Sequence, residues 1–377
     1  MLVYIIMTIL AVIFSALANN YKIKYKEGLN TQKKTKIDSG TILWYLSEMT
    51  LIIVAAIRYD VGQDYMYTYV PYFNGLLLGN INKNIEIGFR LLNEFIQFFS
   101  KDYIWIFIVC SVIFFHYIYK AIKEQSPMKT LSIFLLVGTT YYFVFLNTMR
   151  QMLAVAIFVY AIKFIKERKL LKYLIYMFVA STIHTSALIL IPIYFLYGIK
   201  IKPMKAMIIL LIAIAIKPVV TNVILKILEF TKYSYYIDSR FDTNETGFVV
   251  LAMNICVLVF ALIYARTSQK SNIDSTADNM KIEEDKKYFF FCFLQLLSTL
   301  LAWYNDAIPL LNRIRWALGL PIIILIPLII KREKNQNLRL LYTFVIVVLY
   351  TVYALYTVGI NNANSVLPYT TIFQRGG

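Results

Sequence analysis

Charge is scarce in this sequence. Of its 377 residues only 16% are Asp, Glu, Lys or Arg, while 59% are hydrophobic and 16% aromatic, at a mean hydropathy of +0.64. That balance cannot solvate the surface of a soluble globular protein, and it excludes that class. Cysteine is nearly absent as well. Cys110, Cys256 and Cys292 all fall inside apolar runs, with neither the paired spacing of a metal site nor the exposure of a disulfide framework, so they read as packing residues. The two histidines, His116 and His184, cannot build a zinc site without several carboxylates; neither a transition metal nor another cofactor is expected. Internal repeats, low-complexity tracts and any soluble domain are also missing, so residues 1–377 are expected to form one polytopic membrane domain. Acidic residues number 21 against 38 Lys and Arg, a net charge of +17. In a soluble protein that excess would suggest nucleic acid, but cytoplasmic loops of membrane proteins collect Lys and Arg. No nucleic-acid partner is expected.

What is present is a series of apolar runs. Residues 1 to 18 carry no basic residue ahead of them, whereas Lys22, Lys24, Lys26, Lys33, Lys34 and Lys36 follow, the reverse of a cleavable signal peptide. The chain is therefore expected to start outside and to return there through residues 40 to 57. The stretch at 85–99, IEIGFRLLNEFIQFF, is amphipathic and too polar to span, as suits a helix lying in the interface. Spans follow at 103 to 122, 130 to 147 and 150 to 165. The run 171 to 199 is flanked by Lys169 and Lys172 before it and Lys200, Lys202 and Lys205 after it, so both ends are expected in the cytoplasm. It is read as a hairpin turning near His184, with arms of roughly 13 residues that reach only about 20 Å. Later spans at 205 to 228, 247 to 265, 288 to 304, 312 to 330 and 339 to 358, with a polar inner linker at 266 to 287, complete an all-α polytopic integral membrane protein of about 12 transmembrane helices. This arrangement puts most of the 38 Lys and Arg inside, including Lys33, Arg168, Lys202 and Lys334.

The outward-facing polar residues are clustered. The segment Arg58 to Tyr72, RYDVGQDYMYTYVPY, directly follows an apolar span and is expected to floor a polar cavity. Asn147 is placed to cap the next helix, with Arg150 at its third position; Arg313 and Arg315 follow Pro309 at another helix start. Unpaired N-terminal amides with a guanidinium make an anion site, so Arg58, Arg150 and at least one of Arg313 and Arg315 are expected to clamp a phosphate or pyrophosphate. The alternative at each arginine is a pairing with an acid such as Asp306 or Asp60. Arg313 and Arg315 point about 200° apart on a regular helix, so at most one is expected in the cavity. His184, Asp64 and Glu86 are the candidate proton-transfer groups. His184 is favoured as base because an imidazole titrates near neutrality, whereas an Arg58 beside Asp64 would lower that carboxyl and suit it to orienting the acceptor. Asp60 lies one turn from Asp64 if that stretch is helical. Glu48, about 10 residues before Arg58, is expected to be an in-bundle partner rather than a catalyst, and His116 a packed residue. Tyr65 and Tyr235 could stack on sugar rings, although an aromatic belt at headgroup level explains many of the tyrosines as well.

RYDVGQDY at 58 to 65, Glu-Ile-Gly-Phe at 86 to 89, Asn147-Thr148-Met149-Arg150-Gln151 with Ala154, and Ile183-His184-Thr185-Ser186-Ala187 come in that order. Arg313 and Arg315 before Pro321 and a terminal Pro368-Tyr369 follow. Together they resemble the EpsG-like family of Wzy-type polysaccharide polymerases. Gln63 departs from the small hydroxyl residue expected before the Asp-Tyr pair. The resemblance implies a glycosyltransferase of the bacterial inner membrane that joins oligosaccharide repeat units carried on undecaprenyl pyrophosphate into capsular, exopolysaccharide or O-antigen chains. Asn147 and Gln151 would join the arginines at the substrate. Its partners would be these lipid-linked oligosaccharides, membrane lipids, and chain-length regulators or other polysaccharide-assembly proteins.

A transporter or flippase for lipid-linked oligosaccharides is the competing class, with Glu48 and Lys217 as coupling residues. Transporters distribute polar groups through the midplane and often contain inverted repeats; here the polar groups cluster on one side. A membrane acyltransferase would carry a compact His-Asp pair, and none stands out.

Overall fold

The computed structural model describes residues 1–27, 39–82, 84–231, 234, 237, 247–265 and 275–375. Among these the chain is helical, and its only bridge of β type joins Arg58 to Thr371. Seven helices are long and apolar enough to cross a membrane, or up to nine if each of two bent pairs counts as one span. This is a multi-pass membrane protein. The expected total of about twelve exceeds that number by three segments. Leu170–Ile183 and Thr185–Leu196 have 14 and 12 residues, too short to cross about 30 Å of hydrocarbon alone. Met149–Lys166 carries Arg150, Lys163 and Lys166 in only 18 residues.

The last of these is the centre of the molecule. Residues from Met149 to Ile162 are buried except Arg150, and the helix packs against Ile104–Gln125 on one side and Leu170–Ile183 on another. A run of Ala154, Ala156 and Ala161 keeps that packing close, while Leu153, Phe158 and Ile165 fill the gaps, all fully or nearly fully buried. The segment 130 to 147 is not straight: Lys129–Gly138 and Tyr141–Asn147 meet at 53°, where Thr140 takes a left-handed backbone (φ 68°). Pro203–Ala215 and Lys217–Glu229 meet at 67°, with Pro218 just inside the second helix. The polar linker expected at 266 to 287 is helical from Ser275, as the start of Ser275–Tyr304; residues 266 to 274 lie outside the described residues.

The hairpin near His184 is visible in its cross-arm contacts. The Tyr173 hydroxyl donates to the Leu190 carbonyl at 2.6 Å, Arg168 donates to the Tyr197 carbonyl at 2.9 Å, and the rings of Tyr173 and Tyr194 lie 5.6 Å apart. These pairs nest about a common midpoint, which makes the arms antiparallel. The second arm is a 3-10 helix containing Pro192, a residue that cannot donate to an α-helical ladder. The amphipathic helix runs from Ile87 to Phe99 and leans on Leu170–Ile183 at Gly88. A Cβ on Gly88 would stand 2.3 Å from Thr182 Oγ1 and 2.8 Å from the Thr182 carbonyl oxygen, so only glycine permits the approach.

Candidate active site

Four chain segments meet at one end of the bundle around a cavity of about 220 Å³. Asp64 and Tyr69 come from the segment after the first helix pair, Arg150 and Gln151 from the start of Met149–Lys166, His184 from the hairpin tip, and Arg313 and Trp316 from Leu311–Gly319. Both arginines sit in the first turn of their helices, where the helix dipole favours an anion. Arg150 is second rather than third, because Thr148, not Asn147, precedes the helix. The Asn147 side chain is used elsewhere: its Oδ1 accepts from the Asp64 backbone N–H at 3.0 Å and fixes the Asp64 segment.

Glu86 underlies the cavity and organises it. Its Oε1 lies 3.1 Å from His184 Nδ1, accepts from the Thr185 backbone N–H at 3.0 Å and from the Thr185 hydroxyl at 3.1 Å. Its Oε2 lies 2.9 Å from Arg150 Nη1, a contact between charges whose angles do not make a hydrogen bond. Burial alone would raise this carboxyl, but the His184 and Thr185 hydrogen bonds and the Arg150 charge outweigh it and hold Glu86 at about 2. Glu86 is therefore ionised and can only accept, which assigns the proton to His184 Nδ1. His184 Nε2 has no hydrogen-bond partner among the described residues. Burial pulls the imidazole below its usual value against the opposing pull of Glu86, with the Arg150 and Arg313 charges adding to the fall. A neutral imidazole with a bare Nε2 lone pair at a cavity is the form a general base needs.

Asp64 is the second acid. Its Oδ1 accepts from the Thr68 hydroxyl at 3.3 Å, and burial pushes the carboxyl upward against Thr68, Arg150 and Arg313. That direction is opposite to the expected one, because burial outweighs the nearby arginines, which are Arg150 and Arg313 rather than Arg58. Asp60 is also not one helical turn away: Asp60 and Gly62 take positive φ, 50° and 91°, and regular helix resumes only beyond Asp64.

Arg58 does not line the cavity. It is fully buried, lies 4.9 Å over the Phe107 ring, and donates to the carbonyls of Ala55 and Leu146. The chain beyond residue 360 returns to hold this turn: the Tyr59 N–H donates to Thr370 O at 3.0 Å and the Gly62 N–H to Ser365 O at 2.9 Å. The expected clamp thus loses Arg58 to a structural task. Tyr65 is likewise fully buried, stacked on Phe107 at 3.9 Å, and cannot meet a sugar. Arg315 faces a different cavity, on the other side of its helix from Arg313, as the angular separation required. Tyr235 lies outside the described residues. Glu48 neighbours His116 at 3.8 Å rather than Arg58, and Asp306 pairs with Lys217 at 2.8 Å rather than with an arginine.

Sequence reasoning overlooked Tyr69 as a positioning group and Trp316 altogether. The Tyr69 hydroxyl accepts the Arg150 backbone N–H at 3.2 Å, and Gln151 Nε2 donates to the Arg313 carbonyl at 2.7 Å, locking the two arginine-bearing helix starts together. Trp316 could have been found from its spacing, three residues after Arg313 and so on the same helical face. Among the described residues no three His, Cys, Asp or Glu side chains gather where they could hold a metal ion. A further cavity of about 420 Å³ is almost wholly apolar and borders the third face of Leu311–Gly319 through Leu311, Ile314 and Leu318.

The family model described as the EpsG family matches residues 41–371. No curated protein and no solved structure matches the chain.

Proposed function

The chain belongs to the EpsG family, whose members are Wzy-type polymerase-like, and from that premise we propose that it is a glycosyltransferase that polymerises repeat units carried on a polyprenyl pyrophosphate, with undecaprenyl as the carrier. The observation that carries the proposal is the Glu86–His184 pair set against Arg150 and Arg313 at one cavity. An acceptor hydroxyl would give its proton to His184 Nε2 as its oxygen bonds to the anomeric carbon of the donor chain. The bond from that carbon to the pyrophosphate oxygen breaks, and the lipid pyrophosphate leaves with the electron pair. Arg150 and Arg313 would take up the developing charge, each with a forked guanidinium at a helix start. Asp64, across the cavity, would hold the acceptor hydroxyl in line. The apolar cavity on the same short helix supports an amphiphilic donor: its prenyl chain would lie along Leu311, Ile314 and Leu318 while its pyrophosphate reaches Arg313.

On this reading the cavity faces outside the cell, since the basic residues gather at the opposite ends of the spans. The test is the lipid-linked glycan pool of cells carrying His184→Gln. Single repeat units should accumulate on the lipid carrier and long polymer should vanish. Normal polymer length with folded His184→Gln protein overturns the assignment of the base; unchanged lipid-linked units in cells lacking the whole chain overturn the polymerase.

A further inference from the structure

On the far side of Leu311–Gly319 from His184 lies a second polar cavity, of about 330 Å³. It shares Asn312 and Trp316 with the first, so one short helix divides two adjoining chambers and presents Arg313 to one and Arg315 to the other. The lining of the second chamber differs in kind. Among the described residues no Asp or Glu contributes to it, and Arg315 is its only charge. The Arg315 Nε donates to Asn312 Oδ1 at 2.9 Å, and no carboxylate pairs with the guanidinium among the described residues. A partly buried cation with no counter-charge among the described residues favours an anion beside it. A second observation points the same way: the hydroxyl of Tyr350, a residue lining the chamber, is buried with no hydrogen-bond partner among the described residues. Around these stand groups that suit a sugar: the Trp316 and Tyr353 rings, the Thr357 hydroxyl and the Asn364 amide. Gly319 keeps the chamber's shape, because a Cβ there would stand 2.2 Å from the Tyr141 hydroxyl.

We infer that this second chamber is a saccharide subsite that selects an acidic sugar, with the sugar's carboxylate on Arg315 and its hydroxyls on Tyr350 and the neighbouring amides. It rests on the reading that the chain handles glycans, and it adds what that reading leaves open: the chemical class of the repeat unit. The shared Asn312 and Trp316 place the subsite one sugar ring or more from His184, where the flanking part of a bound oligosaccharide would lie.

The experiment uses the full chain in lipid nanodiscs and needs no turnover. Binding of trigalacturonate, maltotriose and inorganic pyrophosphate is measured for the native protein and for Arg315→Gln, Val250→Phe and Arg313→Gln. Val250 lines the second chamber alone, so its enlargement blocks the space without removing a buried charge and serves if Arg315→Gln fails to fold. Trigalacturonate should bind about tenfold or more tightly than maltotriose, and that preference should vanish in Arg315→Gln and Val250→Phe but persist in Arg313→Gln. Equal binding of the two trisaccharides, or a loss that follows Arg313 instead of Arg315, overturns the inference. Pyrophosphate binding that ignores Arg313→Gln would instead count against the pyrophosphate cavity and leave the acidic-sugar subsite standing.

Discussion

Glu86 and His184, 98 positions apart in sequence, meet at 3.1 Å through Oε1 and Nδ1, and the same carboxylate carries Arg150 on its other oxygen. One acid therefore fixes the tautomer of the base and the position of a cation. Removing it should disturb both.

The Glu86→Gln variant has a distinctive pH signature. In the native protein the base works when His184 is neutral, so the rate should rise as pH increases through a value below 6.5, the direction in which burial moves this imidazole. Glu86 opposes that shift by favouring the protonated ring. Without it the acid limb of the rate profile should move to still lower pH while the plateau falls on the order of a hundredfold. An acid limb that stays in place or moves upward would show that Glu86 does not act through His184.

Glu86 also links stability to pH. Its carboxyl is depressed from 4.5 to about 2 in the folded protein, so its contribution is fully present above about 4.5 and is lost as pH falls toward 2. The difference in apparent Tm between native protein and Glu86→Gln should be fully present above about pH 4.5 and shrink as pH falls from there toward 2. A difference that is constant with pH would assign the loss to packing.

Gly88→Ala tests how the pair is assembled. The added Cβ would press on Thr182 Oγ1 at 2.3 Å and on the Thr182 carbonyl at 2.8 Å, forcing the start of Ile87–Phe99, and Glu86 with it, away from the hairpin. Polymer formation should drop by about tenfold or more in protein that still reaches the membrane folded. Adding Thr182→Ala should restore part of the loss, since it relieves the side chain but not the carbonyl. Normal activity in Gly88→Ala alone would show that the contact is not needed.

The arginines should separate into two groups. Arg150→Lys and Arg313→Lys keep charge but lose the fork, and each should reduce turnover about a hundredfold with folded protein intact. Arg58→Lys should instead lower the yield of folded protein, because its guanidinium bridges buried carbonyls beneath the cavity. Size-exclusion profiles alongside polymer assays distinguish the outcomes; a well-folded, inactive Arg58→Lys would return that residue to the substrate.

Orientation is testable by labelling single cysteines in a background lacking Cys110, Cys256 and Cys292, since Cys256 is exposed. Cysteines at Asn364 and Lys334 flank the helix Gln336–Ala354. Asn364 should react with an impermeant reagent from outside and Lys334 only after permeabilisation. The reverse pattern would invert the topology.

Much of this was readable in the sequence because hydrophobic length and charge placement are local properties. The membrane class, most spans, the break at His184 and the opposed directions of Arg313 and Arg315 all follow from periodicity, from where lysines fall, and from 100° per residue on a helix. The bends at Thr140 and Ile216 were not readable, because an apolar run has the same composition whether straight or kinked. Nor were the tasks of Arg58 and Arg150 separable: each is an arginine at the end of an apolar run. Only tertiary packing puts one over Phe107 beneath a returning C-terminal segment and the other against Glu86 at a cavity. Which charge is buried as a strut and which faces a ligand depends on contacts such as Arg58 with Phe107, Arg150 with Glu86 and Tyr59 with Thr370, far apart in the chain, and no local pattern encodes those.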